Sequence, residues 1–492
     1  MKKLLILFAL LPTILLAQIQ LPLALQTPPV GTSHSKMMTF VKQVGSNSNL
    51  FDFEFSAKTN LDREIPVVFY PKRSQWKNSN TTAMIFAQQH GNEPSGKEAL
   101  LMLIYEIYLK LELDKYKNSN LILVPMVNPD GNEAHQRRNN NKADLNRNHV
   151  ILTEPEAQML HHLFDKYKPE ATLDVHEYGA RTWLRQGFIK DLGEQLDCLS
   201  NPAIPLELKR FAYTEILEAT IDSTRLQGVK ANRYLITQSK IEEFVRHSTT
   251  DINDGRNGFG IQYTLSFILE GMNGFSKTDR IWQRAKNQLT LIKSFLNICN
   301  EKSEQIAKFV REIRKQYTKQ IPDSIIIQAN YTENFSRPLT VNLIRTSDLR
   351  DTTIVLHDYR PHPEPIVIVK RPDAYIIEEP TQQIIDLLKN QHLEFKIFSS
   401  EETYFVEQFE ITGQDTLRYE SRDTIIPAGF YVQVEKSFSK GDILVPTDNL
   451  RAIQIVQIME PQSLYGLSHY KEFQYLVEKH VYPIYRAFIT TE

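Results

Sequence analysis

The chain has 492 residues, with 57 Lys and Arg against 59 Asp and Glu, so its formal net charge is −2. This balance lacks the broad basic footprint of a nucleic-acid-binding protein. The hydrophobic share of 41% and the charged share of 24% are typical of a globular protein with an ample core. Two cysteines are too few for a disulfide scaffold or a four-thiolate metal site. Fibrous, nucleic-acid-binding and disulfide-rich classes are therefore excluded, and the chemistry must rest on His, Glu, Asp and Arg.

The first 17 residues have the pattern of a secretory signal peptide. Lys2 and Lys3 form a positively charged start, an apolar run extends to Leu16, and Ala17 precedes a polar residue. The apolar run, about 13 residues long, is shorter than the roughly 20 residues that span a bilayer. We therefore expect export to the periplasm or the extracellular space, with an uncleaved anchor as the alternative.

Between residues 33 and 300, apolar strand-like runs alternate with helical stretches. The runs, which are nearly continuous in hydrophobic residues as in a sheet buried on both faces, are VVFY (67–70), TAMIF (82–86), LILVPMV (121–127), ATLDV (171–175) and YTLSFIL (263–269). The helical stretches, judged by hydrophobic spacing, are 95–113, 154–167 and 279–296. This alternation predicts an α/β fold with helices on both faces of a sheet.

The pattern changes after residue 320. Short β-like runs appear there: SIIIQA (324–329), TTIVLH (352–357), PIVIVK (365–370) and GFYVQVE (429–435). One helical stretch, 381–390, lies among them. We predict a lead at 18–32, a main domain at 33–300, a helical connector at 301–319 and a smaller α+β or β-rich C-terminal region at 320–492.

Chemistry first appears at the end of the TAMIF strand, in the segment QQHGNEPSG. His90 and Glu93 are three residues apart in a tight turn before a helix. An imidazole and a carboxylate at this spacing can reach one metal ion if a third ligand comes from elsewhere. The carboxyl ends of strands are also where α/β sheets bind their ligands. Taken alone, such a pair is more typical of a solvated turn.

The second signal is the segment from residue 128 to 148, which begins with the turn NPDG. It contains Arg137, Arg138 and Arg147, and the stretch from 137 to 148 holds five Asn and one Asp. Forked guanidinium groups suit an anion or a carboxylate. The alternative is a solvated basic loop.

Two further strands end in groups that can do chemistry. His176 closes the strand LDVH, and Glu270 follows the buried run YTLSFIL. A carboxylate at the end of a buried strand has little solvent around it and is a candidate general base. The alternatives are a structural His and a solvated Glu.

Taken together and in this order, these four segments resemble the zinc carboxypeptidase family typified by carboxypeptidase A. The resemblance covers about residues 33–300 and includes the entry segment TSHSKMMTFV and the LDREIPVVF region. It implies a mixed, mostly parallel sheet between layers of helices. The stretch between Glu93 and His176 is shorter than in the digestive enzymes of the family, which indicates a trimmed catalytic domain of the bacterial type, and the predicted signal peptide makes it a secreted one.

The resemblance also implies a role for each residue. One Zn²⁺ per chain would be bound by His90, Glu93 and His176, with Glu270 as general base. Arg137 would stabilise the developing oxyanion, with Arg138 as the alternative. The remaining assignments are Asn146 and Arg147 as the pair that grips the substrate's terminal carboxylate, and Asp144 as the carboxylate that orients His90.

The chain departs from the family pattern in one loop. No tyrosine occurs from Leu235 to Gln262, where the family has its lid tyrosine. Tyr234, Tyr263 or His247 are candidates to replace it, and none is assigned. Two loop acids, Asp251 and Asp254, either favour a basic terminal residue or simply form turns.

These features predict a secreted zinc-dependent carboxypeptidase that acts on the C-termini of peptides or proteins. An amidase-type relative that cuts cell-wall or modified peptides is the first alternative, and an inactive binding protein on the same fold is the second. Cys198 and Cys299 either pair in an oxidising compartment or remain reduced and buried.

Overall fold

The computed structural model describes residues 19–274, 279–333, 336–419 and 422–488. The predicted signal peptide at residues 1–17 lies outside these ranges and stays a prediction. Within them, no helix combines the length and the apolar character needed to cross a membrane.

Strands and helices alternate in the first part of the chain, as the hydrophobic pattern predicts. The strands are β1 (Asp52–Lys58), β2 (Glu64–Tyr70), β3 (Thr81–Ala87), β4 (Ser119–Val124), β5 (Ala171–Tyr178), β6 (Phe188–Ile189), β7 (Glu194–Cys198), β8 (Ala231–Arg233), β9 (Ile236–Thr237), β10 (Val245–Arg246) and β11 (Leu265–Met272). The α-helices are α1 (His34–Asn47), α2 (Ser95–Tyr108), α3 (Pro129–Ala134), α4 (Pro155–Tyr167), α5 (Leu206–Phe211), α6 (Glu218–Leu226), α7 (Gly255–Gly260), α8 (Ile281–Glu301) and α9 (Ser303–Lys319). A π-helical segment, Ala212–Leu217, joins α5 to α6.

Eight of these strands form one mixed sheet in the order β1-β2-β4-β3-β5-β11-β7-β8. Its central strands β4, β3, β5 and β11 are parallel. Antiparallel pairs are formed by β1 with β2, β2 with β4 and β7 with β11, while β7 and β8 are parallel. Both faces are covered: Met84 and Phe86 of β3 pack towards α4 and α7, and Ala83 and Ile85 pack towards α2 and α8. Burial on both sides explains the continuous apolar runs, and the α/β prediction is confirmed.

The predicted helices are present, with two boundaries to correct. The helix predicted at 279–296 is α8, which continues to Glu301. The stretch predicted as helical to residue 113 is helical only to Tyr108. The chain turns there because Lys110 and Glu112 adopt positive φ angles of 60° and 52°, which an α-helix does not accommodate. The predicted connector corresponds to α9, whose inner face buries Ile306 and Val310 in the main core.

The C-terminal part is rich in strands, as predicted. Its strands are β12 (Ser324–Tyr331), β13 (Leu339–Arg345), β14 (Asp351–Leu356), β15 (Tyr359–Arg360), β16 (Pro363–Lys370), β17 (Ala374–Ile377), β18 (Lys396–Ile397), β19 (Glu402–Tyr419), β20 (Arg422–Phe438), β21 (Ile443–Pro446) and β22 (Ile484–Ala487). Its α-helices are α10 (Gln382–Asn390) and α11 (Ala452–Met459). The largest sheet has the order β18-β21-β17-β22-β19-β20.

The C-terminal part is joined to the main sheet domain by shared strands and a shared core. Strand β15 pairs with β10, and β13 pairs with β6. The Tyr331 hydroxyl donates a hydrogen bond of 2.7 Å to the carbonyl of His247, just after β10. The buried helix α11 packs into the same hydrophobic core as α2 and α8. The C-terminal part therefore supports the loop that begins at β10.

Cys198 and Cys299 are free thiols, and both are buried. Burial raises the pKa of Cys198 to about 12, because the thiolate loses its hydration. Of the two possibilities left by the sequence, the structure shows the reduced pair.

Candidate metal centre and catalytic cavity

The predicted functional residues meet at the carboxyl edge of the parallel strands. His90 follows β3, the NPDG turn follows β4, His176 lies near the end of β5, and Glu270 lies near the end of β11. His176 and Glu270 are register partners on adjacent parallel strands. Four segments that are distant in sequence therefore reach one edge because their strands run in the same direction.

Two glycines allow the first two segments to pack backbone against backbone. A Cβ atom added to Gly91 would lie 2.0 Å from the carbonyl carbon of Gly131, so no other residue fits at position 91. The Asn128 side chain accepts a hydrogen bond of 2.8 Å from the Gly131 amide and caps α3. This contact fixes the His90 turn against the loop that carries the arginines.

The side chains of His90, Glu93 and His176 converge on one point and are buried. The Nδ1 atoms of the two histidines are 3.0 Å apart. Glu93 places Oε1 2.9 Å from His90 Nδ1 and Oε2 3.0 Å from His176 Nδ1. Two imidazole nitrogens and a carboxylate, clustered in this way, are the donor set of a three-ligand zinc site with an open position. These residues therefore fit a catalytic zinc ion.

Each histidine has a carboxylate behind it. His90 Nε2 lies 3.1 Å from Asp144 Oδ1, and His176 Nε2 lies 2.9 Å from Asp174 Oδ1. Such carboxylates fix the ring orientation and leave the Nδ1 atoms facing the metal position. Asp144 is the residue that the sequence predicted. Asp174 was missed, although its position two residues before His176 on the same face of β5 could have indicated it.

A buried polar chain continues from Asp174 into the core. Gln89 donates a hydrogen bond of 2.9 Å from Nε2 to Asp174 Oδ2, and its Oε1 lies 2.9 Å from His149 Nε2. His149 Nδ1 in turn lies 3.1 Å from His161 Nε2. The bond from Gln89 therefore fixes Asp174 Oδ2 and, with it, the orientation of the carboxylate behind His176.

Local charges set the protonation of these groups. Burial would raise the pKa of Glu93, but His90 and His176 outweigh burial and hold this pKa well below its usual range. Burial would lower the pKa of His176, but Asp174 and Glu93 raise it well above its ordinary value. For Glu270, burial dominates and raises the pKa to about 7, with His176 opposing. Glu270 is therefore poised to exchange a proton near neutral pH.

The structure separates the two arginine candidates. Arg137 lies in the site, where its Nε donates a hydrogen bond of 2.9 Å to Asp144 Oδ2 and its Nη1 lies 3.2 Å from His90 Nδ1. Arg138 points away and donates to the carbonyl of Lys142 at 2.7 Å from an exposed position. Only Arg137 of this pair lines the cavity that contains Glu93 and Glu270.

Asn146 and Arg147 lie beside the metal ligands. Asn146 Oδ1 accepts a hydrogen bond of 2.7 Å from the Gly255 amide, while its Nδ2 lies 3.1 Å from His176 Nε2. Arg147 Nε lies 3.4 Å from Asp251 Oδ2, which holds the guanidinium at the cavity wall.

Other amides of this Asn-rich loop hold the loop itself. Asn139 and Asn141 both donate to Glu154 Oε2, at 2.6 and 3.0 Å. Asn148 donates to Thr153 Oγ1 at 2.8 Å. The donors that the sequence associated with an anion therefore mostly serve the fold, and Asn146 lies at the cavity.

These segments bound one cavity of about 290 Å³. Its wall includes the candidate ligands His90 and Glu93, and Glu177, which follows the third candidate ligand in the chain. The wall also includes Arg137, Asn146, Arg147 and Glu270. Several wall residues carry no prediction from the sequence, among them Lys190, Ile268 and Arg256. The cavity has room for the terminal part of a peptide next to the metal position.

Comparison of the sequence with known proteins identifies a family that is consistent with this arrangement of residues. The sequence pattern of the zinc carboxypeptidase family matches residues 37–287. The chain belongs to this family. It is 23% identical to carboxypeptidase 2 of Trichophyton tonsurans over 454 residues, which cover 88% of this chain and 82% of that protein. It is 24% identical to carboxypeptidase 2 of Trichophyton equinum over 378 residues, covering 73% and 68%.

Solved structures of carboxypeptidases are also similar to the chain. The carboxypeptidase A of Helicoverpa armigera aligns with a TM-score of 0.43 at 15% identity, over 55% of this chain and 74% of that one. From its family, the chain is a peptide hydrolase. The resemblance inferred from the four sequence segments is thereby confirmed.

Among the candidates for the missing lid tyrosine, only Tyr234 lies at the catalytic cavity of this zinc carboxypeptidase. It interacts with Glu270, and burial, followed by that carboxylate, raises the pKa of the Tyr234 hydroxyl well above its usual value. Tyr263 is buried in the core beside Tyr317. His247 bonds the Tyr234 carbonyl at 2.7 Å and the Tyr359 hydroxyl at 2.5 Å. Tyr234 is therefore the residue available for such a role.

The two loop acids have structural partners. Asp254 caps α7 by accepting a hydrogen bond of 2.6 Å from the Asn257 amide. Asp251 accepts a hydrogen bond of 2.8 Å from the Asn253 amide. In the described part of the chain, no second group of metal-binding side chains accompanies the His90, Glu93 and His176 cluster.

Proposed function

We propose that the chain is a zinc-dependent carboxypeptidase that hydrolyses the C-terminal bond of peptides. The observation that carries this proposal is the convergence of His90, Glu93 and His176 beside Glu270, in the same cavity as Asn146 and Arg147. One zinc ion would be held by the three ligands, with Asp144 and Asp174 fixing the imidazoles. When bound, zinc supplies Lewis acidity, which activates a water molecule and polarises the scissile carbonyl.

The chain's own residues would carry the proton and the charges. Glu270 would accept the proton of the attacking water and pass it to the leaving amine, a task suited to a carboxyl whose pKa burial raises to about 7. Arg137 would place its guanidinium against the oxyanion that develops at the former carbonyl. Asn146 and Arg147 would hold the substrate's terminal carboxylate, which sets the position of the cut.

The first test concerns the arginine pair. We expect Arg137→Gln to lower kcat by about 10- to 100-fold, because one oxyanion donor is lost. The loss stays modest because the Arg137 side chain is 45% exposed, so water screens its charge. Arg138→Gln is the matched control and should retain normal turnover. Steady-state kinetics on one peptide compares them, and a reversed order of the two variants would assign the oxyanion role to Arg138.

The second test concerns the chain end and carries the proposed function. A charge-assisted hydrogen bond is worth about 1.5–3 kcal/mol, and about 1.4 kcal/mol corresponds to a tenfold change in rate. Amidating the substrate's terminal carboxylate should therefore lower kcat/KM by about ten- to 150-fold. Arg147→Ala should cause a similar loss on the free acid and little further loss on the amide.

The complete cycle measures the unmodified enzyme and Arg147→Ala, each on two peptides that differ only in having a free or an amidated C-terminus. Equal cleavage of the acid and the amide by the unmodified enzyme would contradict the carboxypeptidase proposal. That result would favour the amidase-type alternative, which does not depend on a free terminal carboxylate. Absence of hydrolysis with zinc bound would instead favour the inactive binding protein.

We also propose export, on the basis of residues 1–17 alone. N-terminal sequencing of the mature protein tests this proposal, and the expected first residue is Gln18. A mature protein that begins at Met1 would contradict cleavage.

A further inference from the structure

Arg256 occupies an unusual position on the wall of the catalytic cavity. Its side chain is only 1% exposed, yet its Nε and Nη1 atoms have no hydrogen-bond partner among the described residues. Only Nη2 is bonded, to Asp254 Oδ2 at 3.0 Å and to the Thr249 carbonyl at 2.9 Å. A buried charged group with unpaired donors is costly, so its retention at a cavity wall indicates a ligand that pairs with it.

The position of Arg256 places it next to the substrate's last side chain. The preceding residue, Gly255, donates its amide to Asn146, the residue assigned to the terminal carboxylate. A terminal carboxylate and its side chain leave the same Cα atom, so a carboxylate held at Asn146 directs the side chain into the adjoining wall. Arg256 and Ile268 belong to that wall, and Ile268 lies two residues before Glu270 on the same face of β11.

The acids of this wall cannot serve a basic substrate side chain. Asp254 Oδ1 accepts from the Asn257 amide at 2.6 Å, and its Oδ2 accepts from Thr249 Oγ1 and from Arg256. Asp251 is engaged with Arg147 and with the Asn253 amide. The polar atoms of this wall without a hydrogen-bond partner among the described residues are the Nε and Nη1 donors of Arg256 and the neutral hydroxyl of Ser248. Only Arg256 carries a charge, which selects against a basic residue and for an acidic one.

A second cation, Lys190, lines another part of the cavity. It is buried, and its Nζ donates to Thr237 Oγ1 at 2.8 Å and lies 5.5 Å from the Tyr178 ring. It faces Glu270, whereas Arg256 lies on the side of Asn146, where Arg147 is assigned to the terminal carboxylate. Lys190 therefore offers a matched comparison for the role of Arg256.

We propose that Arg256 reads the side chain of the substrate's C-terminal residue and selects an acidic one, Glu or Asp. This inference rests on the proposed function and names its substrate class. Asp254 and Thr249 hold the guanidinium by Nη2, and the free Nε and Nη1 donors receive the side-chain carboxylate. An amide such as Gln presents one acceptor but also an NH₂ group that no acceptor on Arg256 can meet.

The test is a series of free-acid peptides that differ only in the terminal residue, Glu, Asp, Gln, Lys or Leu. Glu and Gln have nearly the same shape, so their ratio isolates the charge. We expect the unmodified holoenzyme to prefer Glu or Asp over Gln and Lys by about ten- to a hundredfold in kcat/KM. Arg256→Met should reduce this preference to less than about threefold, whereas Lys190→Met should leave it in place.

Two further measurements protect the test against misfolding. The double variant Asp254→Asn, Arg256→Met removes both members of the buried pair, so no unpaired carboxylate remains. Inhibition of the unmodified enzyme by free glutamate should be about tenfold stronger than inhibition by free glutamine.

Cleavage with Leu, Lys or Gln preferred over both Glu and Asp would overturn the proposal for Arg256 while leaving the carboxypeptidase intact. An acidic preference that survives in the double variant and disappears in Lys190→Met would also overturn it. If no peptide is cleaved, the proposed function fails, and this inference fails with it.

Discussion

Glu270→Gln should lower kcat by about 10²–10⁴ while zinc content and substrate affinity stay close to normal. Glutamine keeps the shape of the side chain but cannot accept a proton from water. Because Glu270 is a register partner of His176 and is not itself a ligand, its loss should not open the metal site. Single-turnover kinetics measures the rate of the chemical step. Metal analysis measures the zinc content, and inhibitor binding measures the affinity of the site.

The chain offers a matched control for this variant on the neighbouring strand. Glu194 lies on β7, next to β11, and burial raises its pKa well above the usual value. It does not line the catalytic cavity within the described residues. Glu194→Gln should therefore keep normal turnover, since it replaces a buried carboxyl outside the cavity by an amide of the same shape. A Glu270→Gln enzyme with near-normal turnover would mean that another residue takes the proton.

The sequence could predict the centre of the site because a simple physical rule places its parts. Parallel strands end at one edge, so the segments at His90, His176 and Glu270 meet wherever the strands pair in parallel. Runs buried on both faces are readable as continuous apolar stretches. His176 lies within β5, and His90 and Glu93 lie in the short turn between β3 and α2, so little of the loop structure has to be known.

The rest of the cavity depends on loops and on distant parts of the chain. Lys190 and Tyr234 lie on connections between strands, and Arg256 lies on the short helix α7. No local sequence pattern determines the paths of these segments. Part of the loop after β10 is held from the C-terminal part, where β15 pairs with β10 and Tyr331 bonds the His247 carbonyl. The Thr250 hydroxyl is likewise 2.6 Å from the Tyr465 hydroxyl. A region without chemistry of its own therefore helps to shape the wall that contains Thr249 and Arg256.

His176→Ala should abolish stoichiometric zinc binding and lower turnover by at least about 10². The variant removes one of three ligands, and an ion held by two side chains loses both geometry and affinity. Asp174→Asn should act more gently, because it only weakens the support of His176 Nε2, and we expect zinc affinity to fall by about 10- to 100-fold. Metal content after dialysis against a weak chelator measures both effects.

The two variants together distinguish a ligand from a residue that merely supports the fold. Burial and the Asp174 contact mean that His176→Ala also disturbs the core, so loss of activity alone would not identify a ligand. A graded order of zinc affinity, with the unmodified enzyme above Asp174→Asn and Asp174→Asn above His176→Ala, follows only if the imidazole contacts the ion and the carboxylate orients it. His162→Ala, an exposed histidine on α4, should bind zinc normally and controls for loss of an imidazole as such. Full zinc retention in folded His176→Ala would remove the third ligand and, with it, the open three-ligand geometry on which the proposed hydrolysis depends.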